Sequence, residues 1–295
     1  MRVLIAGGRG FLGAALSREL QARGEESVIL TRQPARRADE VEWDGESAGS
    51  WTRALEDVDA VVNATGYGLE HWPWSAARRR RFVASRVVPG RVLAAAIAEA
   101  HNPPRTFVQF SGTNYYGLSG EGAVDETAPA GPDFLAQLAV QWEAASRPVE
   151  AAGVRWVAVR NAVVLSASGG LLPLMALSTR LFLGGPLGSG RQPLPWIHLT
   201  DQVAAILFLL ANGEAVGAYN LVAPTPTLNE EFMKALAAAA HRPYWFRAPE
   251  PLLRLVLGGM ASLILDGRVC LPKRLLDLGF QFSFPSIDEA LGEVF

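Results

Sequence analysis

The stretch that most limits how this chain can fold is Gly7-Gly8-Arg9-Gly10-Phe11-Leu12-Gly13. It follows an apolar run at residues 3–6 and opens an amphipathic pattern at 11–22; a second apolar run follows at 28–30. Glycines so placed between a buried strand and a helix have three uses. One permits the tight turn, one lets backbone approach a pyrophosphate, and one lets the helix pack close to the strand. The anion then meets the free N–H groups and positive dipole end of the helix. Residues 2–31 read as one complete βαβ unit, so a dinucleotide site is expected here. Two spacings fit: Gly8, Gly10 and Gly13 as G-x-G-x-x-G, or Gly7, Gly10 and Gly13 as G-x-x-G-x-x-G. Both put the ligand in the same place.

The end of the second strand bears on which dinucleotide. NAD sites place an Asp or Glu there for the ribose 2′-hydroxyl. Here the strand ends Leu30-Thr31-Arg32, with no carboxylate before Asp39. Arg32 offers a planar fork of donors to a 2′-phosphate, and Thr31 adds a hydroxyl. The reading is NADP(H).

Further apolar runs at 60–62, 107–110 and 154–159 are continuous rather than alternating, as parallel strands covered on both faces require. Helix patterns at 76–100 and 134–152 separate them, and the rhythm predicts an α/β fold, a Rossmann doubly wound parallel sheet. Pro89-Gly90 predicts a kink or break in the 76–100 helix. After Leu165 the texture changes to a small-residue linker, a helix pattern at 171–183, a Gly/Pro-rich loop at 184–195 and a short strand at 196–199. Thr200 or Asp201 is expected to cap the next helix, which runs to Leu210. Helix patterns follow at 230–240, 252–265 and 287–295. The arginine run Arg78-Arg79-Arg80-Arg81 reads as a solvated helix face.

The formal net charge of −2 argues against non-specific nucleic-acid binding. A single cysteine, Cys270, excludes an intrachain disulfide and reads as a buried structural thiol. The apolar stretches at 203–211 and 252–265 fall short of the ~20 residues a bilayer span needs. No signal-peptide core is visible, so the expected location is the cytoplasm, with no membrane partner. His71, His101 and His241 are scattered without partners at metal spacing, and no metal site is expected.

The chain resembles the extended short-chain dehydrogenase/reductase superfamily, and within it the atypical, NAD-dependent epimerase/dehydratase-like branch of epimerase family proteins. The resemblance is carried by residues 1–13 and by Leu30-Thr31-Arg32-Gln33-Pro34, Asp59-Ala60-Val61-Val62-Asn63-Ala64, Ser85-Arg86, Tyr115-Tyr116-Gly117 and Trp142-Glu143. Gly184-Gly185-Pro186-Leu187-Gly188-Ser189-Gly190, Trp196-Ile197-His198 and Tyr219-Asn220-Leu221 extend it over nearly the whole chain. It implies an NADP-binding Rossmann domain over 1–165 and a small C-terminal α/β substrate domain over 166–295, with about 196–212 returning to the first. It also implies NADP(H) contacts from Gly7, Gly10, Phe11, Leu12, Gly13, Thr31, Arg32, Ala64, Thr65, Gly66, Arg86 and Val164.

The departures concern catalysis. Superfamily members use Tyr-x-x-x-Lys with a nearby Ser or Thr: the tyrosine moves the proton and the lysine lowers its pKa. Alignment on Glu143 puts Leu135 at the tyrosine and Ala139 at the lysine, and no Tyr-x-x-x-Lys occurs anywhere in the chain. Alignment on Tyr116-Gly117 puts Gly112 at the serine, flanked by Ser111 and Thr113. The candidate proton donors are Tyr115, Tyr116, Ser111, Thr113 and His198, with a tyrosine first among them; packing is the competing role for each tyrosine. Arg191 and His198 are candidate substrate contacts. Two functions stand side by side: an NADP(H)-dependent oxidoreductase or epimerase acting on a nucleotide-sugar or other small polar substrate, and a non-catalytic NADP(H)-binding sensor or scaffold.

Overall fold

A computed structural model describes residues 1–120 and 122–295. β1 (Arg2–Ala6) runs through the glycine turn into α1 (Phe11–Ala22), and β2 (Glu26–Thr31) returns parallel to β1. Then come β3 (Glu40–Glu42), β4 (Ala60–Asn63), α2 (Ala76–Glu99), β5 (Thr106–Gly112), α3 (Phe134–Ser146) and β6 (Arg155–Asn161). β7 (Val163–Leu165), α4 (Leu172–Arg180), β8 (Trp196–His198), α5 (Leu199–Ala211) and β9 (Gly217–Leu221) follow. The chain closes with α6 (Asn229–Ala239), α7 (Glu250–Leu257), α8 (Ser262–Leu265), α9 (Lys273–Asp277) and α10 (Ile287–Val294).

Among the described residues, seven strands form one parallel sheet in the order β3-β2-β1-β4-β5-β6-β9, and β7 and β8 form a separate parallel pair. Alternate residues of a strand face opposite sides. Val3 and Ile5, with Val62, Val108 and Val157, pack under α1 and α5; Leu4 and Ala6, with Val61, Phe107 and Trp156, pack under α2. Both faces are therefore apolar and both are covered, which explains the continuous apolar runs. A third cluster, centred on Trp196, Phe232, Leu236, Leu265 and Leu291, fills the smaller C-terminal lobe. The chain order reverses between β1 and β4, and a crevice opens there at the carboxyl edge of the sheet.

Several local expectations change. α2 is continuous through Pro89-Gly90 rather than broken. A Cβ on Gly90 would lie 3.2 Å from that of Ala145, so the glycine lets α3 pack against α2 at this point. The helix expected over 134–152 ends at Ser146 and continues as a 3-10 turn, because Pro148 lacks the N–H an α-helix needs. The 252–265 helix is split by Gly258, at φ +53°. Neither Thr200 nor Asp201 caps α5. His198 does, its Nδ1 accepting from the Thr200 N–H at 3.3 Å. The Asp201 carboxylate instead accepts from the Ser283 and Phe284 N–H groups at 2.8 and 2.9 Å, tying the C-terminal segment to α5.

Candidate functional site

The glycine turn takes the G-x-x-G-x-x-G form. Gly7 has φ +85°, and a Cβ there would lie 2.8 Å from the Ala64 carbonyl oxygen, where β4 ends. A Cβ on Gly13 would lie 2.5 Å from the Gly7 carbonyl oxygen, so the first turn of α1 packs directly on the loop. Gly10 is the N-cap of α1 and supplies no side-chain cap, so the first N–H groups of that helix keep their capacity for an anion. Gly8 belongs to packing: its Cβ would strike Ile29 of β2.

Above this turn lies a cleft of about 550 Å³. Gly7, Gly10, Thr31, Arg32, Ala64, Thr65 and Gly66 line it. Phe11 and Val164 meet beside it instead: a Cβ on Gly170 would touch both the Phe11 ring and the Val164 carbonyl. Leu12 packs into the core under the sheet. Arg86 lies behind Gly66, its guanidinium donating to the Tyr67 and Phe82 carbonyls at 2.9 and 3.2 Å and facing the Trp142 ring. Burial pushes its pKa down to about 10. Its charge is thus kept at neutral pH against the edge of the cleft without a hydrogen-bonded carboxylate.

The arginines of the cleft divide by partner. Arg9 is occupied: Glu40 accepts from its Nε at 2.9 Å, and Gln33 and Pro34 take further donors. Glu40 also accepts from the Arg36 and Arg37 N–H groups, and its carboxyl is held down to about 2 by the Arg9 bond first. Arg32 and Arg81 line the cleft and make no hydrogen bond or ion pair among the described residues. Arg81 lies over the Tyr67 ring at 4.0 Å. It is exposed, as the solvated-face reading of the arginine run expects, and it also borders the cleft, one turn into a helix beside the crevice. The turn Asp44-Gly45-Glu46 and the Tyr67 ring are further walls that sequence reasoning missed.

Of the candidate proton donors, Thr113 lines the cavity beside the cleft and the others sit elsewhere. Ser111 donates to Glu143 at 2.7 Å, and Arg160 forks onto the same carboxylate at 2.8 and 3.0 Å. Arg160 also donates to the Tyr116 hydroxyl at 2.9 Å, and that hydroxyl donates to Asn220 at 2.6 Å. The Tyr115 ring lies 3.4 Å from the Arg160 guanidinium. Burial drives the Tyr116 phenol well above its ordinary range. This is a buried, closed network, and Ser111, Tyr115 and Tyr116 line neither the cleft nor its neighbouring cavity. His198 is buried against the Phe284 ring, at 4.1 Å between centroids, and burial lowers its pKa. Arg191 is exposed and lines neither space. Leu135 and Ala139 are core residues, 2% and 1% exposed.

Beside the cleft is a smaller cavity of about 190 Å³. Thr113 and Asn114 after β5, and Asn161, Ala162 and Val163 at the end of β6, form one wall; residues 263–270 close the other side. Leu69 comes from the loop after β4 that also carries Gly66 and Tyr67, so one loop borders both spaces. Cys270 is buried at its edge, and burial pushes the thiol up to about 12, which makes it inert as a nucleophile.

A parallel sheet with this strand order, a glycine turn at its switch point and a cleft above that turn define a Rossmann-type dinucleotide-binding protein. The NAD dependent epimerase/dehydratase family pattern matches residues 3–222, and the chain belongs to that family. Residues 248–294 match a domain of unknown function, DUF1731. An epimerase family protein of Mycobacterium bovis is 40% identical over 291 residues, 98% of this chain and 96% of its own. The crystal structure of human epimerase family protein SDR39U1 with NADPH superposes with a TM-score of 0.93 at 36% identity, covering 100% of this chain and 99% of that one. UDP-glucose 4-epimerase of Thermus thermophilus, in complex with NAD, shares the fold, with a TM-score of 0.77 at 19% identity over 100% of this chain and 97% of its own.

Proposed function

We propose that this chain binds NADP(H) in the cleft above the glycine turn and acts as an oxidoreductase or epimerase on a small polar molecule. The observation that carries the reading is the Arg32 guanidinium just past β2, unpaired among the described residues, where an NAD site would carry an acid. The NADPH in the human relative's structure supports it. Gly7, Gly10, Gly13 and the open start of α1 approach the diphosphate; Thr31 and Arg32 take the 2′-phosphate. Ala64, Thr65 and Gly66 flank the ribose side, with Arg86 behind them and Phe11, Leu12 and Val164 packed beside the turn. When bound, the cofactor supplies or accepts a hydride; the protein orients it, excludes water and leaves the proton to a group outside the buried Tyr116–Arg160–Glu143 network.

That network also favours a second reading, a non-catalytic NADP(H) sensor or scaffold, because it commits the Ser111 and Tyr116 hydroxyls to buried partners. NADPH titration followed by a screen of carbonyl and sugar substrates for NADPH oxidation separates the two. Binding with turnover supports the enzyme, binding without turnover supports the sensor, and no binding removes both.

A further inference from the structure

We propose that the cavity between the β5–β6 ends and residues 263–270 takes a compact hydroxyl-bearing carbonyl compound with no nucleotide group. The proposal rests on the hydride-transfer reading above. Size is the first argument. At about 190 Å³ the cavity lies below the ~300 Å³ at which pockets for drug-sized ligands begin. A nucleoside diphosphate sugar, with a base, two sugar rings and two phosphates, exceeds it.

The C-terminal wall of the cavity is fastened down, so it does not yield readily to a larger ligand. The Val124 N–H donates to the Val269 carbonyl at 2.8 Å, and the Leu271 N–H to the Val124 carbonyl at 2.9 Å. Gln192 holds the Ile264 carbonyl at 3.0 Å, and Arg268 the Tyr116 carbonyl at 3.3 Å. Gly267 lies so close to the Pro193 carbonyl that a Cβ would overlap it.

Charge is the second argument. Arg268 is the one guanidinium among the described lining residues, and the one carboxylate, Asp266, already accepts from Arg254 at 2.9 Å, so the wall lacks the cluster of cations that would hold a diphosphate. What it does offer is hydroxyl and carbonyl recognition. The Thr113 hydroxyl reaches the Asn161 carbonyl only at 3.5 Å, too long for a good hydrogen bond, and so retains donor capacity. Asn114, whose amide N–H donates to the Leu135 carbonyl, and Asp266, one of whose oxygens accepts from Arg254, stand on opposite sides of the same space with their remaining amide and carboxylate oxygens as acceptors.

The test uses the full chain loaded with NADPH. D-glyceraldehyde and D-erythrose are compared with UDP and UDP-glucose, following nicotinamide fluorescence and Tm. The expected result is a saturable fluorescence change and a raised Tm with a hydroxyaldehyde and neither with UDP or UDP-glucose. Thr113→Val should weaken hydroxyaldehyde binding about tenfold with NADPH affinity unchanged. Leu263→Trp, which fills the cavity from the other wall, should do the same and serves if the first variant folds poorly. Saturable binding of UDP or UDP-glucose that these substitutions weaken overturns the proposal, and so does failure of both hydroxyaldehydes to bind. The Tm series is repeated without cofactor. Hydroxyaldehyde binding in a protein that does not bind NADPH would keep the cavity assignment and remove the hydride reading.

Discussion

Replacing Arg32 by alanine should weaken NADPH binding by about 10- to 30-fold and leave NADH binding unchanged. A hydrogen bond to a charged group contributes about 1.5–3 kcal/mol. Arg32 is exposed at the mouth of the cleft, so water and salt screen it and the lower half of that range applies, about 1.5–2 kcal/mol. Because no carboxylate among the described residues pairs with its guanidinium, the alanine variant strands no acid there, and the loss reads as ligand contact. Fluorescence titration of both cofactors, against wild type and variant at low and high ionic strength, measures the effect. The wild-type preference for NADPH should shrink as salt rises. Equal wild-type affinities for the two cofactors would refute the reasoning, as would a variant that loses both equally, because either result detaches Arg32 from the 2′-phosphate.

Gly10→Val should abolish dinucleotide binding and keep the fold, since its φ of −75° suits valine while the added methyls enter the cleft; circular dichroism and a cofactor titration read the two halves. Tyr116→Phe should lower stability by about 1–3 kcal/mol, because Arg160 and Asn220 each lose a buried partner, while NADPH affinity stays unchanged. Chemical denaturation and titration check it, and a catalytic Tyr116 would instead show in turnover with stability intact. Glu40→Gln probes the Arg9 anchor through pH. Glu40 is held down to about 2 in the fold, from an ordinary 4.5, so its stabilisation is full above pH 4.5 and is lost as pH falls through about 2. Wild type and variant melts should therefore differ at neutral pH and converge toward pH 2; a constant gap counts against the ion pair.

The sheet was legible wherever its signal was local. Gly7, Gly10 and Gly13 announce a turn within seven residues, and both-face burial writes continuous apolar runs into β1, β4, β5 and β6. β3 and β9 were missed because their signal is weak. Glu40-Val41-Glu42 is an edge strand of three residues, and β9 begins at a half-exposed glycine. The cofactor cleft was readable from the turn and from β2, yet its second cation was not. Arg81 looks like its three neighbours until α2 is placed beside the crevice. The buried setting of Tyr116 was hidden for a different reason. The partners of Tyr116, Arg160 and Asn220, lie 44 and 104 residues away, and no spacing in the chain reports such contacts.

Leu135 and Ala139 have a consequence for any attempt to restore the usual acid. Leu135 packs with Phe82 and Leu138 beneath the loop after β4, and its carbonyl accepts from Asn114. A tyrosine and a lysine placed there would enter space already filled, and the ammonium would lose its water with no carboxylate assigned to it. Glu143, one turn beyond Ala139 on the same helix, is committed to Arg160. Two substitutions would rewrite the motif without making room for it: the pair Glu143–Arg160 and the packed layer of α3 around Leu135 would have to change with them.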